Sequence, residues 1–197
     1  PPLAGTTALV DGTIYYASQT VSGCESITRL AVTAEINVTA EPTGNATQTF
    51  CNSGTVADLT ATGTGIQWYA AATGGTPLAG TTVLVDGTAY FASQTIDGCE
   101  GLVRFEVTAE INVVNAPTGV SPQEIAANPI TDATIDDIVV TPDAGGTITW
   151  YPTEEDALNG TNPIAAGTQI TNGTYYATQT IGTCTSATAL AIEVSVV

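Results

Sequence analysis

The chain contains no histidine, no lysine and no methionine, and its only cations are Arg29 and Arg104. Without His or Lys, a Ser–His–Asp triad, a Cys–His pair, a Schiff-base lysine and a histidine-bound zinc are all excluded within these 197 residues. A carboxylate pair is the one acid–base device left. The acidic clusters Asp136-Asp137 and Glu154-Glu155-Asp156 lie beside turn residues in a chain that is acidic throughout, so the sequence does not read as an enzyme. Nineteen acidic residues against two basic give a formal net charge of −17. That excludes the cationic footprint nucleic acid requires and disfavours an anionic membrane surface. No apolar run reaches the ~18–20 residues of a membrane helix, and no sustained helical stripe is present. A signal peptide is not seen, and the sequence opens at Pro1-Pro2 inside a repeat, so residue 1 is not expected to be a natural start.

What is abundant is strand-forming. Threonine alone supplies 37 residues, and hydrophobic residues make up 43%, enough to build cores. Gly, Asn-Gly and Asp-Gly punctuate the runs, as between β-strands. The chain also repeats itself. Residues 2–38 align without a gap on residues 77–113, a period of 75, with 27 of 37 positions identical. A divergent third copy follows: TIDDIVV (134–140) matches TVADLTA (55–61), ITWY (148–151) matches IQWY (66–69), and NGTYYATQT (172–180) matches DGTAYFASQT (86–95) with one deletion. Such periodicity reads as an array of small units. The expected organisation is the C-terminal half of a module at 1–41, a complete module at 42–116 and a divergent one at 117–197. Pro42 and Pro117 mark the joints. The linkers Thr39-Ala40-Glu41 and Asn115-Ala116 lack a Gly/Ser tract, which points to restricted hinges.

Within the complete module, strands are expected at 55–62, 66–70, 81–85, 88–95 and 99–113, with a short edge segment at 77–79. The last strand alternates, with Val103, Phe105, Val107, Ala109, Ile111 and Val113 on one face. A two-residue loop at Asp97-Gly98 pairs Ile96 with Cys99. Counting back, Tyr90 faces Phe105, Ala92 faces Val103 and Phe91 faces Arg104. The same register sets Tyr16 opposite Arg29, so each cation is expected on an outward ring. In the third copy Tyr176 remains and the arginine position is Ala189.

Trp68 after a strand start, and Asp86-Gly87 followed by Tyr90, resemble the core tryptophan and tyrosine corner of the immunoglobulin superfamily. Trp150 and Tyr175 are the third copy's equivalents. Ala92 stands where that fold places its inter-sheet cysteine, which implies plain packing against Leu59. More closely, FCNSGTVADL (50–59), IQWY (66–69), DGTAYFASQT (86–95) and GCEGLVRFEV (98–107) are similar to the Ig-like repeats of large Bacteroidetes surface proteins, including gliding-motility adhesins and type IX secretion cargo. The resemblance implies an all-β chain of tandem immunoglobulin-like β-sandwich modules arranged end to end.

The cysteines are Cys24, Cys51, Cys99 and Cys184. Cys24, Cys99 and Cys184 occupy one repeat position, and the third copy's equivalent of Cys51 falls near Ile130. CxxC metal spacing is absent, and the sites fit extracellular disulfides. Two pairings stay open. In the implied topology the two cysteine positions of one module lie at opposite ends of a sandwich ~25 Å long, whereas a disulfide needs Cα atoms within about 7 Å. This favours Cys51–Cys184 between modules, with Cys24 and Cys99 bonded outside this sequence. Cys51–Cys99 within one module is the alternative, and the inward parity of Cys99 suits it.

The function expected is a stalk or spacer in a secreted, filamentous adhesin on the surface of a Gram-negative bacterium, with neighbouring modules of the same chain as its partners. The alternative is that the modules bind glycans or host or substrate surfaces by multivalency through exposed rings such as Tyr16, Phe91 and Tyr176. No cofactor is expected. Calcium at the joints is the one metal candidate, at Glu41, Asp136 and Asp137, without an EF-hand spacing.

Overall fold

The computed structural model describes residues 2–197. The first segment holds β1 (Ile14–Ala17), β2 (Thr20–Val21), β3 (Cys24–Glu25) and β4 (Leu30–Thr33). Next come β5 (Thr47–Cys51), β6 (Gln67–Tyr69), β7 (Thr88–Ser93), β8 (Thr95–Ile96), β9 (Cys99–Glu100) and β10 (Phe105–Asn112). The remainder carries β11 (Gln123–Ile125), β12 (Thr147–Tyr151), α1 (Glu154–Asn159), β13 (Gly173–Ile181), β14 (Cys184–Thr185) and β15 (Leu190–Val196). The chain is all-β in class, and its fold is an immunoglobulin-like sandwich.

Two sheets are built alike. One has the order β5-β10-β7-β6 and the other β11-β15-β13-β12, with β14 added to β13. In each, the first strand joins the sheet in parallel and the others are antiparallel. Each sheet has its own core. Val56, Leu59, Trp68, Leu84, Tyr90, Ala92, Val107 and Ala109 bury one; Ile125, Ile135, Ile138, Trp150, Ala177, Ile192 and Val194 are central to the other. Ala92 and Ala177 are fully buried, so packing fills the site where a disulfide would cross. In the first segment β1 pairs with β4, and there Val32 is 48% exposed whereas its repeat partner Val107 is at 0%.

The layer facing each sheet is less regular than its β-branched composition implies. Residues 55–62 are not a strand: Val56–Asp58 forms a 3₁₀ turn. Asp58 explains it, because its carboxylate accepts from both the Thr55 N–H (2.7 Å) and hydroxyl (2.8 Å). Such local side-chain bonding competes with a sheet ladder. Thr134 and Asp137 repeat the turn at Ile135–Asp137. Residues 81–85 contribute a single bridge, Thr55 to Val83, and 77–79 is no strand, although Leu78 N–H donates to the Trp68 carbonyl.

The hairpin turn pairs Ile96 with Cys99, but the long strands slip by two. Tyr90 faces Val107, Ala92 faces Phe105, and Phe91 faces Glu106. Residues 101–104 lie outside the ladder, leaving Val103 61% exposed; Val113, past the end of β10, is 65% exposed. The first segment and the last sheet show the same two-residue offset between hairpin and ladder. Alternation cannot reveal it, because a slip of two keeps every side chain on its face.

The tyrosine corner forms three times. Tyr15, Tyr90 and Tyr175 hydroxyls accept from the backbone N–H of Val10, Val85 and Thr171. Beside them Asp11, Asp86 and Asn172 side chains accept from Ile36, Ile111 and Val196 N–H, tying each turn to the following strand.

Candidate functional site

The sites that recur are the joints. Buried glutamines occupy one repeat position, Gln94 between β7 and β8 and Gln179 within β13. A buried amide is costly unless its donors and acceptor are used. Gln94 accepts from Thr64 N–H (3.1 Å) and donates to the linker carbonyl of Ala40 (2.9 Å). Gln179 accepts from Asp143 N–H (2.7 Å) and donates to the linker carbonyl of Asn115 (2.8 Å). Each amide thus ties the incoming linker to the module that follows. A glycine stands beside both; a Cβ at Gly63 or Gly146 would sit 2.7 Å from the glutamine oxygen and force it to shift. Pro42 and Pro117 are buried just beyond the linkers, and each is followed by an isolated bridge, Thr43 to Thr62 and Thr118 to Thr141.

The second joint has a further clasp. Cys51, the last residue of β5, is bonded to Cys184 at the hairpin of the last sheet, with a Cα–Cα distance of 5.2 Å. Next to it Asn52 sits in the left-handed region at φ 63°, a conformation asparagine tolerates better than most residues. Its carbonyl accepts from Val114 N–H (2.9 Å) and its amide donates to the Thr185 carbonyl (2.8 Å), so one side chain grips both sides of the joint. At the first joint Thr39 donates to the Cys99 carbonyl (3.0 Å). Cys24 and Cys99 are exposed and have no disulfide partner among the described residues. The alternative pairing Cys51–Cys99 does not form: the parity of Cys99 misleads because β9 is a separate two-residue strand in an exposed hairpin. The third copy's equivalent of Cys51 is Ala126 rather than Ile130, because β11 pairs with β15 as β5 pairs with β10. The added residues form the Ile130–Asp132 turn.

The arginine–ring pairs differ from expectation. Phe91 and Arg104 are not opposed; the guanidinium of Arg104 lies 3.3 Å from the centroid of the Tyr69 ring. It donates to the Ala71 (2.7 Å) and Gly74 (2.8 Å) carbonyls, fixing the loop after β6. The Tyr69 hydroxyl donates to Glu100 (2.7 Å), and burial, then this bond, push the phenol above its ordinary 10.0. Tyr16 faces Ala31, not Arg29, and Arg29 instead pairs with Glu25 at 3.4 Å. The residue 75 positions before Tyr69 would fall before residue 1, so Arg29 has no such ring within this sequence. In the third copy the same loop is replaced by α1, capped by Thr153 and Asp156 and buried through Ala157. That explains why Ala189 can stand at the arginine position. Arg104→Ala is expected to lose about 1–2 kcal/mol of stability from the second module, read as a lower urea midpoint. An unchanged midpoint contradicts the assignment.

Two of the three calcium candidates accept backbone hydrogen bonds. Asp136 accepts from Gly167 N–H and Asp137 closes its turn; Glu41 is exposed on the first linker. Among the described residues, no three His, Cys, Asp or Glu side chains converge. Of the rings proposed for ligands, Tyr16 is exposed but Phe91 and Tyr176 are half-buried, so no equally presented ring recurs.

The Thr55 N–H, then its hydroxyl, hold Asp58 below its ordinary 3.8, and Thr134 does the same to Asp137. Thr153, Asn162 and Thr161 lower Asp156. Carboxyls lowered on folding stabilise fully above their unfolded values and lose that contribution as pH falls through the folded ones. The melting temperature is therefore expected to drop as pH is taken below about 4. The D58N/D137N variant should show a shallower drop, and an identical slope would contradict this origin.

Trp68, the tyrosine corner at Tyr90 and the sheet that holds them define an immunoglobulin-like β-sandwich module, and Trp150 and Tyr175 repeat its geometry in the last sheet. Residues 40–112 match the family described as Ig-like domain, CHU_C associated. That segment is similar to the Ig-like modules of Bacteroidetes surface proteins. No curated protein matches the chain.

Sequence reasoning missed Gln94, Gln179 and Asn52. The signal for the glutamines was present: ASQT (17–20), ASQT (92–95) and ATQT (177–180) place a long amide at one repeat position in every copy.

Proposed function

We propose that the chain is a stalk or spacer from a secreted, filamentous bacterial cell-surface adhesin of the gliding-motility type, its Ig-like modules running end to end. The observation that carries this reading is the second joint, where a disulfide, Asn52 and Gln179 all tie one module to the next. A mobile hinge needs none of them. The exposed area, 12324 Å², supports an elongated form, since a compact monomer of this length exposes about 8,700 Å²; the open face of the first segment adds to it. A net charge of −17 keeps such chains apart in solution. A structural disulfide suits an oxidising, extracellular setting. No described helix is long and apolar enough to cross a membrane. Small-angle scattering tests the shape. A radius of gyration well above the ~16 Å of a single globule of this length is expected, and a value near ~16 Å would rule the spacer out.

A further inference from the structure

The shortest covalent route from the second module to Val197 does not follow the backbone. Cys51 and Cys184 are 133 positions apart in sequence but bonded through their side chains. The loop they close contains β6 to β13 and the joint segment Val113–Pro117. A pull on the two ends of the chain passes along β5, through the disulfide, and out along β15.

We infer that the Cys51–Cys184 bond is a tension shortcut that carries axial load past both modules and caps how far the chain can be stretched. Residues 52–183 lie outside the load path, so force at the ends cannot draw them out while the bond holds. The parts on the route have little slack. β5 and β15 are strands, at about 3.3 Å per residue against a fully extended limit of ~3.6 Å. Each is also held sideways by unloaded neighbours: β5 pairs with β10 over five residues, and β15 lies between β11 and β13. The joint backbone at Val114 and Asn115 is bypassed as well, so Gln179 and Asn52 set the angle of the joint without bearing its tension. The shortcut follows from connectivity alone; only its relevance to a cell rests on the spacer reading.

Single-molecule force spectroscopy on the whole chain, with handles at its two ends, tests it. The oxidised protein should reach a contour length of only about 230 Å, from residues 1–51 and 184–197 at ~3.5 Å each. Dithiothreitol supplies two electrons and two protons, leaving thiols at Cys51 and Cys184 and closing to its own cyclic disulfide. The contour length should then rise threefold, to about 690 Å. The C51S/C184S variant should give the long value without reductant. An oxidised chain reaching ~690 Å overturns the inference, and so does ~520 Å, the length for a Cys51–Cys99 bond. A compact scattering curve would remove the spacer reading and leave these lengths unchanged, so the two failures are distinguishable.

Discussion

Trp68→Ala is expected to unfold the second module while the third stays folded. Trp68 is 8% exposed and packs in a core of eight buried residues. Truncating a buried tryptophan costs about 3–5 kcal/mol. A unit of some 75 residues has a total stability of roughly 4–11 kcal/mol, so the loss removes much of it. The core around Trp150 contains none of the same residues. Amide spectra at room temperature should therefore lose dispersion for residues 42–116 and keep it for 117–197. Collapse of both sets together, or of neither, would show that the two sheets do not have independent cores.

The second large effect concerns the staple. C51S/C184S should lower stability by about 2–5 kcal/mol, because the bond closes a long loop in the unfolded chain. Reduction of the natural protein should do the same. C24S/C99S is the control: both cysteines are exposed and unbonded within residues 2–197, and their replacement in this chain should leave the denaturant midpoint where it was. The linker clasps through Gln94 and Gln179 do not involve sulfur, so the reduced chain should remain folded in each module under mild conditions. If C24S/C99S destabilised the chain as much as C51S/C184S, the pairing would be wrong.

The repeat made the architecture legible. Near-identity at a period of 75 showed that one module's reading applies to its neighbour, and the Trp and Tyr signatures named the sandwich. Side-chain faces were legible too, since Val107, Ala109, Tyr90 and Ala92 are all buried as alternation implies. What was not legible had local causes. Asp58 and Asp137 divert Thr-rich stretches from strand to turn through bonds to Thr55 and Thr134. The two-residue slip at 101–104 preserves parity and leaves no trace in a hydrophobic pattern. That slip moved Arg104 from Phe91 to Tyr69, a neighbouring ring on the same face, since Tyr69 pairs directly with Phe91. The favoured disulfide came from the topology the immunoglobulin resemblance implied, which sets a module's two cysteine positions at opposite ends. The joint amides were hidden because a glutamine beside or within a strand looks solvent-facing until its linker partner is known.

The joint itself is open to direct chemical proof. Unreduced protein, alkylated at free thiols and digested, should yield one cross-linked pair joining the peptide with Cys51 to the peptide with Cys184, with the alkyl label on Cys24 and Cys99. A cross-link between the Cys51 and Cys99 peptides, or label on all four cysteines, would contradict the Cys51–Cys184 staple.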